Sequence, residues 1–214
     1  MDASEPKWRR RKTARPGEIV DAAIEVFAEK GFAAARLDDI AARAGVSKGA
    51  LYLYFETKAD IFEAVVREAV APNIEAVLAL VEHYDGPFAD IAPMMLARMA
   101  QVIETSRMGE VAKLVIGESR NFPNLARVWH DAVIGPGLAA IGGAIARAQA
   151  RGEVRPGDPR LYAFSLIGPM LMSVIWREVV TPIGGEPVEL MSLAAQHGQA
   201  ILRGMLEPSP AGNA

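Results

Sequence analysis

The chain has 214 residues and a formal net charge of −3, with 51% hydrophobic and 23% charged residues. This length and composition suit one large or two small globular domains and argue against a disordered chain. The absence of cysteine excludes a disulfide framework, a zinc finger, an iron–sulfur cluster and a thiol nucleophile. The longest uncharged stretches, residues 161–176 and 132–146, are shorter than the roughly 20 residues of a membrane span. Since the first residues also lack a signal-peptide pattern, we expect a cytoplasmic protein with no membrane partner.

A basic arm is predicted over residues 1–14. Its positive side chains are opposed by no acidic residue between positions 6 and 17. They are Lys7, Arg9, Arg10, Arg11, Lys12 and, just beyond the arm, Arg15. A basic arm on an otherwise acidic protein is typical of contact with nucleic-acid phosphates; a solvated tail is the alternative.

Apolar residues recur at intervals of three and four, which predicts helices throughout the chain. Pro16 opens the first helix, and Gly31 ends it as a left-handed cap. Two short helices follow over about residues 37–44 and 48–55. A longer one starts at residue 58, and Pro72 predicts a kink or a break in it near residue 71. Further helices are predicted over about residues 88–105, 109–120, 123–151, 158–181 and 187–206.

The most informative segment is residues 37–58, which read LDDIAARAGVSKGALYLYFETK. Two short helices joined by a turn at Gly45, the second too short to be stable alone, are typical of a helix-turn-helix. The apolar residues predicted to hold the pair together are Ile40, Ala41, Ala44, Val46, Leu51 and Phe55. The residues left on the other face are Lys48, Gly49, Ala50, Tyr52 and Tyr54. Such a face suits phosphate and base-edge contacts in a DNA major groove, although an ordinary helical hairpin with solvated side chains is the alternative.

This segment resembles the DNA-binding domain of TetR-family transcriptional regulators. The family pattern is a first helix ending in F-x-E-x-G-[FY], followed by D-I-A-x-x-A-G-V-S-x-G-x-L-Y-x-[HY]-F-x-x-K. Here residues 27–32 read FAEKGF, and residues 39–58 read DIAARAGVSKGALYLYFETK. The resemblance covers about residues 15–70. It implies an all-α fold with an N-terminal three-helix helix-turn-helix domain and a C-terminal helical domain for ligand binding and dimerisation.

The implied boundaries divide the chain into four parts. After the arm, a DNA-binding domain is expected over residues 15–75, with its motif at about residues 37–56. A ligand-binding and dimerisation domain is expected over residues 76–207, followed by a flexible tail over residues 208–214.

The resemblance also implies which residues contact double-stranded DNA. Ser47 would cap the recognition helix. The residues against base edges would be Lys48, Gly49 and Ala50. Those on the phosphate backbone would be Tyr52, Tyr54 and Lys58.

The start of the second helix departs from the family pattern. The family usually has Thr or Ser there, which caps the helix and meets a phosphate, whereas this chain has Ala35, Arg36 and Leu37. The helix must therefore find another cap, at a cost of about 1 kcal/mol. Arg36 either replaces the lost phosphate contact with a charged one or leaves it unmade.

A homodimer is predicted from two apolar helices near the end of the chain. Residues 161–176 are apolar nearly all round, so that helix must bury a second side against another surface. Residues 190–206 carry a similar face, and two such helices from each subunit would form an isologous interface. Two recognition helices about 34 Å apart would then read a palindromic operator. The predicted interface residues are Leu166, Met172, Leu190, Ala194, His197 and Ile201.

Methionine and aromatic side chains in the C-terminal region suit a small, mainly apolar effector. The predicted ligand-binding residues are Met95, Met99, Phe122, Trp129, Phe164, Met170 and Trp176. Each of them has ordinary core packing as its alternative.

Little in the sequence favours an enzyme. The Gly-rich stretch over residues 135–143 lacks the spacing of a nucleotide-binding loop, and the three histidines lack the spacing of a metal site. We therefore expect no catalysis, cofactor or metal, and a repressor that leaves its operator when a ligand shifts the helix at residues 58–71. An activator, a co-repressor-dependent regulator and a nonspecific architectural DNA-binding protein are the alternatives.

Overall fold

The computed structural model describes residues 16–208, and within them the chain is helical and contains no strand. The N-terminal helices are α1 (Pro16–Ala34), α2 (Leu37–Arg43), α3 (Lys48–Tyr52) and α4 (Lys58–Val65). The helices that follow are α5 (Ala71–Glu82), α6 (Phe88–Thr105), α7 (Met108–Glu118), α8 (Pro123–Trp129), α9 (Gly135–Ala150), α10 (Pro159–Ile175) and α11 (Leu190–Met205). The all-α prediction is confirmed. The arm over residues 1–14 and the tail after residue 208 lie outside the described residues.

Helix α1 is interrupted at Gly31, close to where the sequence predicts its end. Gly31 has φ 75° and ψ 163°, so the predicted left-handed cap is wrong in detail because ψ is extended. Glycine adopts this conformation without steric cost. The chain then makes one further turn through Phe32 and Ala33 before α2.

Within residues 16–208, π-helical turns join two pairs of helices and extend a fifth helix. Val66–Val70 joins α4 to α5, His130–Ile134 joins α8 to α9, and Trp176–Val180 extends α10. Pro72 lies in the first turn of α5, so the irregularity falls where the sequence predicts a kink near residue 71.

The helix-turn-helix is closed by the predicted apolar residues. Ile40 and Leu51 are fully buried, Ala41 and Phe55 are buried, and Ala44 and Val46 are partly buried against the same core. Helix α3 is shorter than predicted. Small residues at the α2–α3 crossing allow the close approach that this motif needs.

The C-terminal helices form a bundle in which α6 packs along α11, and α10 packs on α9 and α11. Helix α7 lies between the two halves of the molecule, because it packs on α1 and also contacts α10. This position makes α7 a direct connection between the bundle and the helix-turn-helix region.

Two continuous helical segments are longer than the uncharged stretches within them. Pro123–Ala150 has 28 residues and Pro159–Ile183 has 25, which by length and composition alone is enough to cross a membrane. The uncharged stretches themselves are shorter than a membrane span, as the sequence indicates, but that argument does not extend to the full helices. A core helix of a soluble protein passes the same test.

Candidate nucleic-acid interface and ligand cavity

The recognition helix α3 is held by an N-terminal cap and exposes its outer face. The Ser47 hydroxyl accepts a hydrogen bond from the Ala50 backbone N–H at 3.1 Å, which is the capping role predicted for it. Lys48 and Gly49 are exposed, whereas Ala50 is partly buried. A small residue there leaves the backbone open to close approach.

Lys48 is paired within the domain. Its Nζ lies 2.8 Å from Asp38 Oδ1 and 5.9 Å from the Tyr52 ring centroid. The hydrogen bond with Asp38 raises the pKa of Lys48, so the ammonium is fully charged at neutral pH. Because both side chains of the pair are 59% exposed, the pair is weak and open to competition by a phosphate.

Several predicted DNA contacts border one open groove of about 560 Å³. Those that line it are Arg36, Lys48, Tyr52 and Lys58. Tyr54 is exposed but lies outside the groove lining. Between the two tyrosines, Leu53 is 82% exposed, a feature that the sequence reasoning missed.

The replacement cap of α2 is a carboxylate. Asp39 Oδ2 accepts a hydrogen bond from the Arg36 N–H at 3.1 Å, and its Oδ1 lies 2.9 Å from Lys30 Nζ. The hydrogen bond from Lys30 lowers the pKa of Asp39, and the bond from the Arg36 N–H contributes. The acidic residue at the third helical position was the signal that could have predicted this cap.

Lys58 is less free than the sequence predicts. Its Nζ donates to the carbonyls of Phe32 at 2.6 Å and Ala33 at 3.0 Å, and lies 4.9 Å from the Phe32 ring centroid. Burial lowers the pKa of Lys58, while the Glu118 carboxylate opposes that effect. Lys58 therefore caps the end of α1 as well as bordering the groove.

The C-terminal domain contains an apolar cavity of about 360 Å³. Three predicted ligand-binding residues line it, namely Met99, Trp129 and Phe164. The other lining residues come mainly from α5, α7, α9 and α10. They are Ile74, Val77, Leu78, Val81, Val102, Met108, Ala112, Val115, Ile116, Val133, Ile134, Gly137, Leu138, Ile141, Ile167, Leu171, Val174 and Ile175. Among the residues that the structure describes, no charged side chain lines this cavity.

Four predicted ligand-binding residues lie outside the cavity lining. Met95 and Met170 are buried in the core at 2% and 0% exposure. Phe122 packs on Phe32 with ring centroids 4.9 Å apart, and the Trp176 indole N–H donates to the Glu186 carbonyl at 2.8 Å. Predicting these four as pocket residues is wrong for this cavity, because composition does not distinguish pocket lining from core.

The predicted dimer-interface residues also need correction. Leu166, Leu190 and Ala194 are at most 3% exposed within a single subunit, so they face its own core and cannot meet a partner. Ile201 is partly buried, and His197 Nε2 lies 2.9 Å from the Leu166 carbonyl oxygen. The side chain that does face outward is Met172.

Other apolar side chains of α10 are exposed beside Met172. They are Leu161, Phe164, Leu171 and Ile175. Phe164, Leu171 and Ile175 also line the cavity, so the outer face of α10 borders the cavity. Within residues 16–208, no group of three or more potential metal ligands is present.

Two family models match the chain. The model described as "Bacterial regulatory proteins, tetR family" matches residues 19–65, and "Tetracyclin repressor-like, C-terminal domain" matches residues 92–189. The fatty acid metabolism regulator protein of Bacillus subtilis is 43% identical over 58 residues, which are 27% of this chain and 30% of that protein. The alignment thus spans less than a third of this curated relative.

Solved structures resemble nearly the whole chain at lower identity. The transcriptional regulator FadR from Bacillus subtilis in complex with stearoyl-CoA has a TM-score of 0.73 at 23% identity, covering 89% of this chain and 99% of that one. SmeT in its complex with triclosan has a TM-score of 0.74 at 23% identity, covering 92% and 99%. SmeT is the repressor of the Stenotrophomonas maltophilia multidrug efflux pump SmeDEF. At this identity the solved structures show a shared fold only. The family assignment comes from the two family models, which match the N-terminal and the C-terminal part of the sequence. The chain belongs to the tetR family of bacterial regulatory proteins.

Proposed function

We propose that the chain is a dimeric, DNA-binding regulator of transcription that leaves a palindromic operator when an apolar small molecule binds its C-terminal domain. The observation that carries the proposal is the groove beside α3, where Arg36, Lys48 and Tyr52 meet. Cations and phenolic hydroxyls around an exposed recognition helix suit phosphate positioning next to base-edge contact.

The apolar cavity supports the ligand half of the proposal. Its lining offers hydrocarbon and aromatic surface, with the Trp129 indole as its main polar side chain. A ligand that fits it is therefore uncharged where it is enclosed, and a charged group must stay at the mouth. The stearoyl-CoA and triclosan complexes of two structural relatives support a ligand with a large apolar part.

The exposed face of α10 supports a dimer. Leu161 is 64% exposed and Met172 52%, and exposed apolar side chains on one helix mark an interaction site. A second copy of α10 is a suitable cover because residues 161–176 carry no charge, so an isologous contact meets no like-charge repulsion.

Helix α7 supports a route from the cavity to the DNA-binding region. The face with Met108, Ala112 and Val115 lines the cavity, and the helix packs on α1. A ligand that fits better when α7 is displaced would shift α1 and, with it, α4 over residues 58–65. To change the ratio of two conformations of the protein from 1:99 to 99:1, the ligand must bind one of them about 5.5 kcal/mol more favourably than the other.

Selection of binding sites from a random pool of double-stranded DNA tests the proposal. Enrichment of a palindrome with half-sites about one helical turn apart is the expected result. The winning duplex is then titrated at two salt concentrations against an unrelated duplex. Salt-sensitive binding with no enriched sequence would contradict a sequence-specific regulator and favour a nonspecific coating protein.

A further inference from the structure

A single peptide group joins the two halves of the molecule at the end of α1. The N–H of the peptide between Phe32 and Ala33 donates to Glu118 Oε1 at 3.3 Å. The carbonyl of the same peptide accepts from Lys58 Nζ at 2.6 Å. Glu118 is the last residue of α7, and Lys58 is the first residue of α4. One amide therefore lies between a carboxylate of the C-terminal domain and an ammonium predicted to contact DNA.

These two charges act on the amide in the same sense. An anion at the N–H and a cation at the carbonyl both increase the polarisation of the peptide, which strengthens the two hydrogen bonds together. Moving or removing Glu118 is thus expected to weaken the hold on Lys58, although the two side chains do not bond to each other directly.

Gly31 allows the carboxylate to come this close. A Cβ at position 31 would lie 2.9 Å from Glu118 Oε1, and the residue has φ +75°. Both the space and the backbone conformation thus require glycine.

The Phe32 ring fixes the same junction from two directions. Its centroid lies 4.9 Å from the Phe122 ring centroid, in an edge-on arrangement, and 4.9 Å from Lys58 Nζ. Aromatic pairs and cation–π contacts of this geometry are favourable. The segment that carries the bridging peptide is thereby anchored to both domains.

Lys58 also borders the open groove beside the recognition helix, together with Arg36, Lys48 and Tyr52. A lysine ammonium has three donors, and two of them are directed at the Phe32 and Ala33 carbonyls. The third donor is then available in a fixed position for a DNA phosphate.

We propose that Glu118 is a positioning residue for DNA binding, which holds Lys58 toward a phosphate through the Phe32–Ala33 peptide. This inference rests on the proposed DNA-binding function. It gives a residue outside the helix-turn-helix a part in operator affinity, although the negative charge of that residue alone would repel DNA.

The test uses the full chain and the duplex obtained by site selection. Operator affinity is measured across a salt series for the wild type, Glu118→Ala, Lys58→Ala and the double variant. Glu118→Ala is expected to bind more weakly, with a salt slope smaller by about 0.9 per subunit, the equivalent of one lost phosphate contact. The double variant is expected to lose no more than Lys58→Ala alone, because the two residues act as one unit.

Two further variants separate positioning from other effects. Glu118→Gln keeps an acceptor for the Ala33 N–H and is expected to recover the wild-type salt slope. Glu75→Ala removes an exposed carboxylate of α5 and is expected to leave the slope unchanged. Thermal unfolding of every variant checks that the fold is intact.

Three results would overturn the inference. The first is that Glu118→Ala binds as tightly as the wild type or more tightly, which is what the loss of a negative charge alone would produce. Additive losses in the double variant would show that Glu118 does not act through Lys58. Absence of specific DNA binding by the wild type would instead overturn the proposed function, and this inference with it.

Discussion

Asp38 and Lys48 form an ion pair across the helix-turn-helix, with Asp38 Oδ1 2.8 Å from Lys48 Nζ. The pair joins α2 to the first residue of α3, at the centre of the face proposed to meet DNA. A phosphate that binds Lys48 must therefore compete with the Asp38 carboxylate. In the free protein, this carboxylate partly neutralises the positive charge at the start of the recognition helix.

Asp38→Asn should tighten operator binding. The substitution removes the competing carboxylate while keeping a side chain of the same shape. Because an exposed ion pair of this kind is weak, operator affinity should rise by up to about fivefold. Fluorescence anisotropy with the selected duplex measures it. Glu75→Gln on α5 is the control, because it changes the net charge by the same amount as Asp38→Asn. Unchanged or weaker binding by Asp38→Asn would contradict the proposed role of Lys48.

Lys48→Ala and Tyr52→Phe should weaken operator binding and leave the dimer intact. Loss of the Lys48 ammonium removes one phosphate or base contact per subunit. If the lost contact is to a phosphate, the salt slope of Lys48→Ala is smaller than that of the wild type by about 0.9 for each subunit. Loss of the phenolic hydroxyl removes a hydrogen bond without a change in charge, so the slope should stay near its wild-type value. Titration at several salt concentrations separates the two effects. Normal binding by either variant would show that its residue is wrongly assigned.

The sequence predicts the helix-turn-helix well because its determinants are local. Gly45, Ser47 and the apolar residues Ile40 and Leu51 act within about twenty residues of one another, and turn and capping chemistry is visible at that range. The contacts of Phe122 cannot be found in this way. Its partner Phe32 is distant in sequence, and only the packing of α7 on α1 brings the two rings together.

The sequence also cannot orient a helix that is apolar on all sides. Leu166 and Met172 both belong to the uncharged stretch of α10, yet the first is fully buried and the second is 52% exposed. Periodicity fails as a guide when no polar face exists. The sequence therefore predicts Leu166, Leu190 and Ala194 as interface residues, whereas the structure buries all three within a single subunit.

Gly137→Leu should block ligand binding and stabilise the protein. Gly137 lines the cavity, and a Cβ there meets nothing within 4 Å, so the larger side chain has room to extend into the apolar space. Replacing glycine in a helix by leucine contributes up to about 0.8 kcal/mol, equivalent to roughly 2–3 °C in Tm for a chain of this size. Calorimetric titration with triclosan as the probe and thermal unfolding measure the two effects.

The matched control for this prediction is Gly204→Leu. Gly204 also lies in a helix with open space around its Cβ, but it is outside the cavity lining. It should show the helix stabilisation and retain the probe affinity of the wild type. Equal probe binding by the wild type and Gly137→Leu would show that the cavity is not the site.

Asp39→Asn should destabilise the protein at neutral pH and matter less in acid. The hydrogen bond from Lys30 lowers the pKa of Asp39, so its contribution is present above the ordinary aspartate pKa and is lost as the pH falls through the lowered value. The difference in Tm between wild type and variant should therefore narrow as the pH is taken from 7 toward 2. Asp131→Asn, on the exposed turn after α8, is the control. A difference that stays constant over this range would contradict the assigned cap.

Met172→Glu should produce a monomer. Met172 is 52% exposed on the uncharged face of α10, and an isologous contact would bring the two introduced carboxylates close together in an apolar setting, where burying an unpaired charge is costly. The monomer should bind a palindromic duplex far more weakly than the dimer, because the two half-site contacts are no longer linked. Light scattering coupled to size-exclusion chromatography gives the mass in solution. Met94→Glu, at a 49% exposed position on α6, should remain dimeric. A Met172→Glu dimer of wild-type affinity would move the interface away from this face of α10.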